Sequence, residues 1–421
     1  MSDAGGVVEF DEAVEIVLRH ASGLGGLATE AQPLLDCRGR VLAETVVADR
    51  DQPPFDRSTR DGFAVLAAEV AGGELRVVGL VRAGERWEGG RLERGAAVEI
   101  MTGAPMPEGA DAVLMVEHVE RVEETIRLSA GRAIRSGENV VPRGAEARMG
   151  EAVLAAGTTM GAAEIALAAA CGYGTLSVSR RPMVAIIATG DELVELDEVP
   201  GEQQIRNSNS YGLTALVADA GGRPGRLAVA RDVREELRER VTEGRMWDLL
   251  LLSGGVSMGK YDLVEEVLAE FGAEFFFTGV KMQPGKPVVF GRVPKLENAS
   301  GAGPTCYFFG LPGNPISSAA TFLLFAAPLL ASLGGATEVG PRFVSAQLSR
   351  ATDRKAKTGL TRFLPGLCAF SSQGNGLPQV ATVPWHGSGD LPAFARSNCF
   401  IVVPEDVSSL DPGTMVRILM L

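Results

Sequence analysis

Three short stretches of the 421-residue chain end an apolar run on glycine and small polar groups. IIATGDEL carries Thr189, Gly190, Asp191 and Glu192. LLLLSGGVSMGKYD carries Ser253, Gly254, Gly255, Ser257 and Asp262. FFGLPGNPISS carries Pro312, Gly313, Asn314 and Pro315. Glycine lets a backbone approach a ligand closely, and successive N–H groups ahead of a helix form a cradle for anions. The hydroxyls of Ser253 and Ser257 add donors. Any one such turn serves as a bare strand-to-helix connection about as often as a ligand site. Three of them at one sheet edge point to a phosphate-bearing ligand.

Asp191, Glu192 and Asp262 bring carboxylates to the same edge. Carboxylates beside a phosphate are compatible when Mg²⁺ lies between them, because a hard cation takes one or two carboxylates plus phosphate oxygens. Taken singly, Asp191 and Asp262 read equally well as helix caps. Lys286, in QPGKPVVF, offers a cation on a proline-flanked loop, although a lysine taken at random is more often simply exposed. FDRSTRDGFAV around Asp61 and IMTGAPMPEGAD around Thr102 read, on chemistry alone, as polar loops.

The elements that must position these groups follow from periodicity. Residues 9–23 have an amphipathic stripe of Phe10, Ala13, Val14, Val17 and Leu18. Residues 63–128 run in short alternating pieces separated by dense turn signals, the pattern of a β-rich domain. GAAEIALAAACG is a helix stopped by Gly172. From 182 to 335, strand-like runs (PMVAIIA, RLAVARD, WDLLLLS, KPVVFGRV, TCYFFGL) alternate with helical ones (SNSYGLTALVADA, VREELRERVTEG, DLVEEVLAEFG, ISSAATFLLFAAPLLASL). That alternation predicts an open, mostly parallel α/β sheet, with ligands at the carboxyl ends of its strands. After Gly340 the chain returns to short β-like pieces, a small all-β module. The expected division is a discontinuous N-terminal part (1–48 plus 149–181), an inserted β-rich domain (49–148), an α/β domain (182–336) and a C-terminal β domain (337–421).

Composition bounds the function. A net charge of −13 and a pI near 5.0, with no Lys/Arg block, argue against nucleic acid as a partner. Five cysteines without a C-x-x-C pair and three scattered histidines argue against a disulfide framework or a zinc site. The N-terminal stretch lacks a basic region and signal-peptide core. The longest apolar run, Phe322 to Leu333, is short for a membrane span and contains Pro328. A cytoplasmic protein with no membrane partner is expected.

Taken in order, DGFAV, IMTGAPMPEGADAV, SGENVVPRG, ATGDEL, SNSYGL, SGGVSMGKYD, QPGKPVVFG and GLPGNPISS resemble the molybdopterin molybdenumtransferase family, which includes the E domain of gephyrin. GSGDLPAFARSNCFIVVP near the C-terminus is similar as well. The resemblance spans nearly the whole chain, and eight motifs in order are far more specific than any one. It implies insertion of molybdenum from molybdate into adenylylated molybdopterin, with release of AMP and assistance from Mg²⁺. It implies a homodimer whose site lies at the α/β part, faced by the β-rich part of the other subunit, and a β-barrel-like last module. On matching positions it implies catalytic roles for Asp61, Thr102, Glu192, Asp262 and Lys286. Asp191, Ser253, Gly254, Gly255, Ser257 and the turn Pro312-Gly313-Asn314-Pro315 would bind substrate, and Glu192, Asp262 and Asp61 would serve the metal.

The sequence departs from the family pattern at several places. Arg60 and Phe63 flank Asp61 where the family often has Met and Tyr. Gly144-Ala145-Glu146 replaces Gly-Glu-Asp, Val233 stands where a second acid is common after Asp232, and Gln283 replaces a lysine found in some members. Two other functions stay open at this stage: a molybdopterin adenylyltransferase, which resembles the α/β part alone, and a binding scaffold without catalysis, as in gephyrin.

Overall fold

The first helix, α1 (Phe10–Ser22), buries Phe10, Ala13 and Val17 of the predicted stripe together with Ala21, while Val14 and Leu18 are half-buried. The computed structural model describes residues 6–24, 26–71, 73–255, 263–296, 304–352, 359–370 and 376–421. Ser257 and Asp262 lie outside the described residues. The chain separates into two compact units: residues 44–156 with 162–174, and the remainder.

The smaller unit holds a six-stranded sheet. Its strands are β1 (Gly62–Val65), β2 (Leu75–Val81), β3 (Ala96–Ile100), β4 (Ala112–Met115), β5 (Val119–Val122) and β6 (Thr125–Leu128). They lie in the order β4-β1-β3-β2-β6-β5, antiparallel except for the β2–β3 pair. One core packs Phe63, Val65, Leu75, Ala97, Leu114 and Ile126. The predicted helix after it is α2 (Ala162–Ala170). Leu34–Cys37 form a turn of 3₁₀-helix in the larger unit.

The larger unit is built on a second six-stranded sheet. Its elements are β7 (Met183–Ala188), α3 (Ser208–Asp219), β8 (Arg223–Arg226), α4 (Arg234–Gly244), β9 (Leu249–Ser253), α5 (Leu263–Glu270), β10 (Glu274–Phe277), β11 (Val289–Pro294), β12 (Thr305–Leu311) and α6 (Pro315–Leu333). The order is β8-β7-β9-β12-β11-β10, with the first four parallel and the last two antiparallel. The run Leu249 to Leu252 is apolar at every position because both faces are covered. Leu249 and Leu251 face α1, α3 and α6, whereas Leu250 and Leu252 face α4 and α5. Full burial of each such side chain stabilises by about 2 kcal/mol.

Two strands differ from expectation. Of RLAVARD only its first residue, Arg226, belongs to a strand, as the end of β8, and Ala230 rejoins the sheet in a bridge to Thr189. The charged and glycine-rich sequence of β8 suits its place at the sheet edge, where one side needs no apolar cover. The strand β10, with three phenylalanines, went unpredicted. The helix expected over ISSAATFLLFAAPLLASL is α6, 19 residues long, and it is mostly buried, so it is a core helix. Within it Phe322–Ala326 form a π turn, with Ala327 N–H donating to Phe322 O. Pro328 explains the widening: it has no N–H for the Leu324 carbonyl, and its ring crowds that carbonyl.

The last module is a closed barrel of β13 (Phe343–Leu348), β14 (Thr361–Ala369), β15 (Gln379–Thr382), β16 (Cys399–Val403) and β17 (Met415–Met420). The ring β14-β15-β13-β17-β16 closes through the β14–β16 pairing. Ala346, Leu348, Val380, Ile401 and Ile418 fill it, while Phe363 and Phe400 join the α/β core. The short helix α7 (Leu391–Ala395), capped by Asp390, was not predicted.

A buried charge cluster closes the end of the sheet opposite the glycine turns. Asp248, just before β9, accepts Lys295 Nζ at 3.0 Å, Arg180 Nη2 at 2.9 Å and the Met183 N–H at 2.8 Å. The side chains of Asp248 and Lys295 are only 2% and 3% exposed. Removing one partner of a buried pair leaves the other charge uncompensated. Lys295→Met is therefore expected to cost about 3 kcal/mol in urea unfolding. Arg180→Ala, on the wetter side, should cost less than about 1 kcal/mol; equal losses would contradict this account.

Candidate functional site

The carboxyl ends of β7, β9 and β12 lie side by side. Parallel register sets Ala188 against Ser253, and Ser253 against Leu311. Each strand then turns out of the sheet into a loop, as the three glycine-bearing stretches predict. Three of the expected backbone donors are committed elsewhere. Thr189 N–H donates to Ser253 O (2.9 Å), Gly190 N–H to Ala230 O (3.1 Å) and Gly254 N–H to Leu311 O (3.1 Å). These bonds tie the strand ends to one another. Pro312 and Pro315 have no N–H at all, so Gly313 and Asn314 are the only backbone donors that their turn can offer.

Close packing explains the glycine pair. Gly254 and Gly255 have φ of +97° and +66°. A Cβ on Gly254 would stand 2.5 Å from Thr189 O, and one on Gly255 would stand 2.8 Å from Thr189 Oγ1. Gly313 is different: its nearest neighbour would be Gly254 Cα at an ordinary 3.6 Å. Side-chain polar atoms sit around this packed backbone. Ser253 is buried. Thr189 Oγ1 is buried and has no hydrogen-bond partner among the described residues. Asn209, in the first turn of α3, donates from Nδ2 to Ser253 Oγ (3.0 Å) and to Gly313 O (2.6 Å). The helix that presents it is capped by Asn207, whose side chain accepts the Ser210 N–H.

An acidic group borders the turns. Glu192 folds back over Gly190, and Asp191 Oδ1 accepts the Asp232 N–H at 3.2 Å. Asp191 and Glu192 are exposed. Burial, with the charges of Asp191 and Glu192 beside it, raises the Asp232 carboxyl above the usual carboxylate range. Among the described residues no three His, Cys, Asp or Glu form a metal-binding group. Lys286 is exposed on the loop after Met282–Gln283, its carbonyl accepting the Val280 N–H at 2.9 Å, and its ammonium pairs with no acid among the described residues.

In the smaller unit, topology joins two residues that the sequence holds 41 apart. Gly62 opposes Ile100 in the antiparallel β1–β3 pair, so the residue before β1 meets the loop after β3. Asp61 Oδ1 accepts both the backbone N–H of Thr102 (2.6 Å) and its hydroxyl (2.8 Å). These two bonds hold the Asp61 carboxyl below its usual range. The sequence departures have plain settings: Phe63 is core, the Glu146 carboxylate takes Arg57 Nη2 at 2.5 Å, and Val233 caps α4 without a side-chain bond. Sequence reasoning assigned no role to Asn209 or Asp232. The SNSYGL motif and the Arg-Asp pair were visible, but which strand ends they reach was not.

Comparison with known proteins bears on the whole chain. Residues 8–172 match the model of the MoeA N-terminal region (domains I and II), 185–332 that of a probable molybdopterin binding domain, and 347–421 that of the MoeA C-terminal region (domain IV). A molybdopterin molybdenumtransferase of Synechocystis sp. is 30% identical over 413 residues, covering 97% of this chain and 98% of its own. One of Nostoc sp. is 35% identical over 406 residues, covering 93% and 89%. A crystal structure of the molybdopterin biosynthesis moeA protein from Pyrococcus horikoshii OT3 superposes with a TM-score of 0.75 at 28% identity, over 99% of this chain and 100% of that one.

Two outcomes are expected. Gly254→Ala should lose at least about 1–2 kcal/mol of stability from its left-handed backbone alone. Gly313→Ala should stay within about 0.5 kcal/mol, like an ordinary surface change; a thermal melt of both variants compares them. In an NMR titration, the Asp61 carboxyl should ionise below an ordinary aspartate, and Thr102→Val should move it back up. Since the folded value is depressed, the stability it contributes is present above the unfolded-state value. That stability is lost as pH falls through the folded one.

Proposed function

The chain belongs to the molybdopterin molybdenumtransferase family, and we propose on that premise that it inserts molybdenum from molybdate into adenylylated molybdopterin, releasing AMP. The observation that carries this reading is end-to-end similarity to molybdenumtransferases, combined with three strand-end turns packed level at one sheet edge. An adenylyltransferase built on the α/β part alone would leave the β-rich unit and the barrel without counterparts.

The substrate phosphates lie at the turns after β7, β9 and β12. Cleaving the adenylate requires charge neutralisation and positioning more than a covalent nucleophile. The bond from the adenylate phosphorus to the molybdopterin phosphate oxygen breaks, and an oxygen of water or molybdate takes its place. Ser253 and Lys286 bind anionic oxygens, and Gly254, Gly255, Pro312, Gly313, Asn314 and Pro315 shape the pocket. Ser257 belongs with them by motif. Asp61 and Thr102 act as a pair, in which Thr102 keeps Asp61 ionised.

Since no three acids converge among the described residues, one or two of the carboxylates of Asp191, Glu192 and Asp232 would hold a divalent cation together with substrate phosphate; burial, with the charges of Asp191 and Glu192 beside it, raises the Asp232 carboxyl, and a cation would lower it. They form no closed cage, which suits Mg²⁺, an ion that keeps waters and shares substrate phosphate. Glu192 is the first ligand in this reading, with Asp191 and Asp232 beside it and Asp262 and Asp61 added by motif. A bound Mg²⁺ would supply Lewis-acid neutralisation of phosphate charge there.

The four-part division expected from sequence (1–48 with 149–181, 49–148, 182–336, 337–421) belongs to the same reading, as do a homodimer and a cytoplasmic location. The separate matches over 8–172, 185–332 and 347–421 support the outer boundaries.

The test is AMP release. Wild-type protein with adenylylated molybdopterin, Mg²⁺ and molybdate should release AMP in a molybdate-dependent way, followed by chromatography. Asp61→Ala and Glu192→Ala should each lower the rate by at least about 100-fold, the scale of removing a charge-stabilising group. Tight substrate binding without release in the wild type would sink the insertase and leave a binding scaffold.

A further inference from the structure

We propose that Asn209 is a positioning residue that forces the Ser253 hydroxyl to act as a hydrogen-bond donor toward the substrate phosphate. The proposal rests on the phosphate reading of the strand-end turns and names the group that fixes their polarity.

The argument begins with the amide orientation. A side-chain amide can present either its oxygen or its nitrogen. Here one end of the Asn209 amide stands 2.6 Å from Gly313 O, an obligate acceptor, so that end is Nδ2. The same nitrogen lies 3.0 Å from Ser253 Oγ. Both amide hydrogens are therefore committed, one to a carbonyl and one to the hydroxyl oxygen. Ser253 Oγ accepts this bond, and among the described residues no protein acceptor takes its own proton. A hydroxyl has one proton to give. With an oxygen lone pair held by Asn209, that proton is left for an acceptor at the carboxyl end of β9.

The commitment of backbone donors makes this proton matter. The N–H groups of Thr189, Gly190 and Gly254 bind neighbouring carbonyls, so they are not available to an anion. Ligand recognition at these turns then falls more heavily on side-chain donors. Asn209 serves two ends at once: it sets the hydroxyl polarity after β9 and fastens the Gly313 turn after β12. No described charged group contacts Asn209, so it works by geometry rather than by charge.

The test compares Asn209→Ala, Ser253→Ala and the double variant in molybdate-dependent AMP release, with inorganic pyrophosphate affinity measured alongside by calorimetry. Each single change should lower kcat/KM by about 10- to 100-fold, the range of one or two lost hydrogen bonds to a charged group. The double variant should fall no more than about threefold below the worse single, because both act on one proton. Asn209→Asp, which can accept but not donate, should be worse than Asn209→Ala at neutral pH and recover toward it as pH falls. A purely structural role for Asn209 would predict neither that pH profile nor the coupling. Fully multiplicative effects, or an Asn209→Ala enzyme within twofold of wild type, would overturn the proposal. If wild-type protein releases no AMP, the function above fails; pyrophosphate affinity then decides this proposal, weaker binding in Asn209→Ala upholding it and equal binding overturning it.

Discussion

The backbone of β7 and the backbone of β9 leave the sheet so close together that no side chain fits between Thr189 and Gly254. Much of the site follows from that contact. It requires glycine in a left-handed conformation after Ser253. It places Ser253 level with Ala188 and Leu311 on the neighbouring strands. It also uses the N–H groups that a looser turn would leave for a ligand. A strand-to-helix turn is usually valued for its bare backbone donors. This one instead gives up some of its donors to hold its strands level, and hydroxyl and ammonium groups around it share the recognition.

Electrostatics impose a second constraint. The protein carries a net charge of −13, and the substrate assigned to it is anionic. The acids at the sheet edge would repel such a ligand by themselves, and burial, with the charges of Asp191 and Glu192 beside it, already raises the Asp232 carboxyl. The remote charge cluster behaves oppositely: Asp248 is satisfied by Lys295, Arg180 and a backbone N–H. One end of the sheet is electrostatically closed and the other is left frustrated. Frustration of that kind is what a cation and a phosphate relieve together.

The sequence was most legible where one period dominated. The stripe of α1, the doubly buried run of β9 and the glycine stops of the α/β part translated directly into elements. It was least legible where tertiary context overrides local preference. Arg223–Arg226 forms a strand because the edge beside β7 needs backbone partners, whatever its propensity; RLAVARD looked better and stayed outside. Glu274–Phe277 is too short to show a period. At the site, residue types announced the glycine turns and the acids, but pairing did not show. Asp61 meets Thr102 only through strand register, and Asn209 reaches two strand ends only because α3 begins beside them. Such links join residues 41 to 104 apart, which no local pattern encodes.

The docking of α1 has a consequence for how the protein is made. Phe10 packs with ring centroids 6.2 Å from Phe325 and 5.2 Å from Phe363, and Ala21 O accepts the hydroxyl of Ser332. The helix leaves the ribosome more than 300 residues ahead of the groups that cover it here. During that interval its apolar stripe has no native partner. At roughly 5–20 residues per second, the exposure lasts tens of seconds. A helix made this far ahead of its cover is buried late, only once the helix of Phe325 and the barrel strand of Phe363 have emerged.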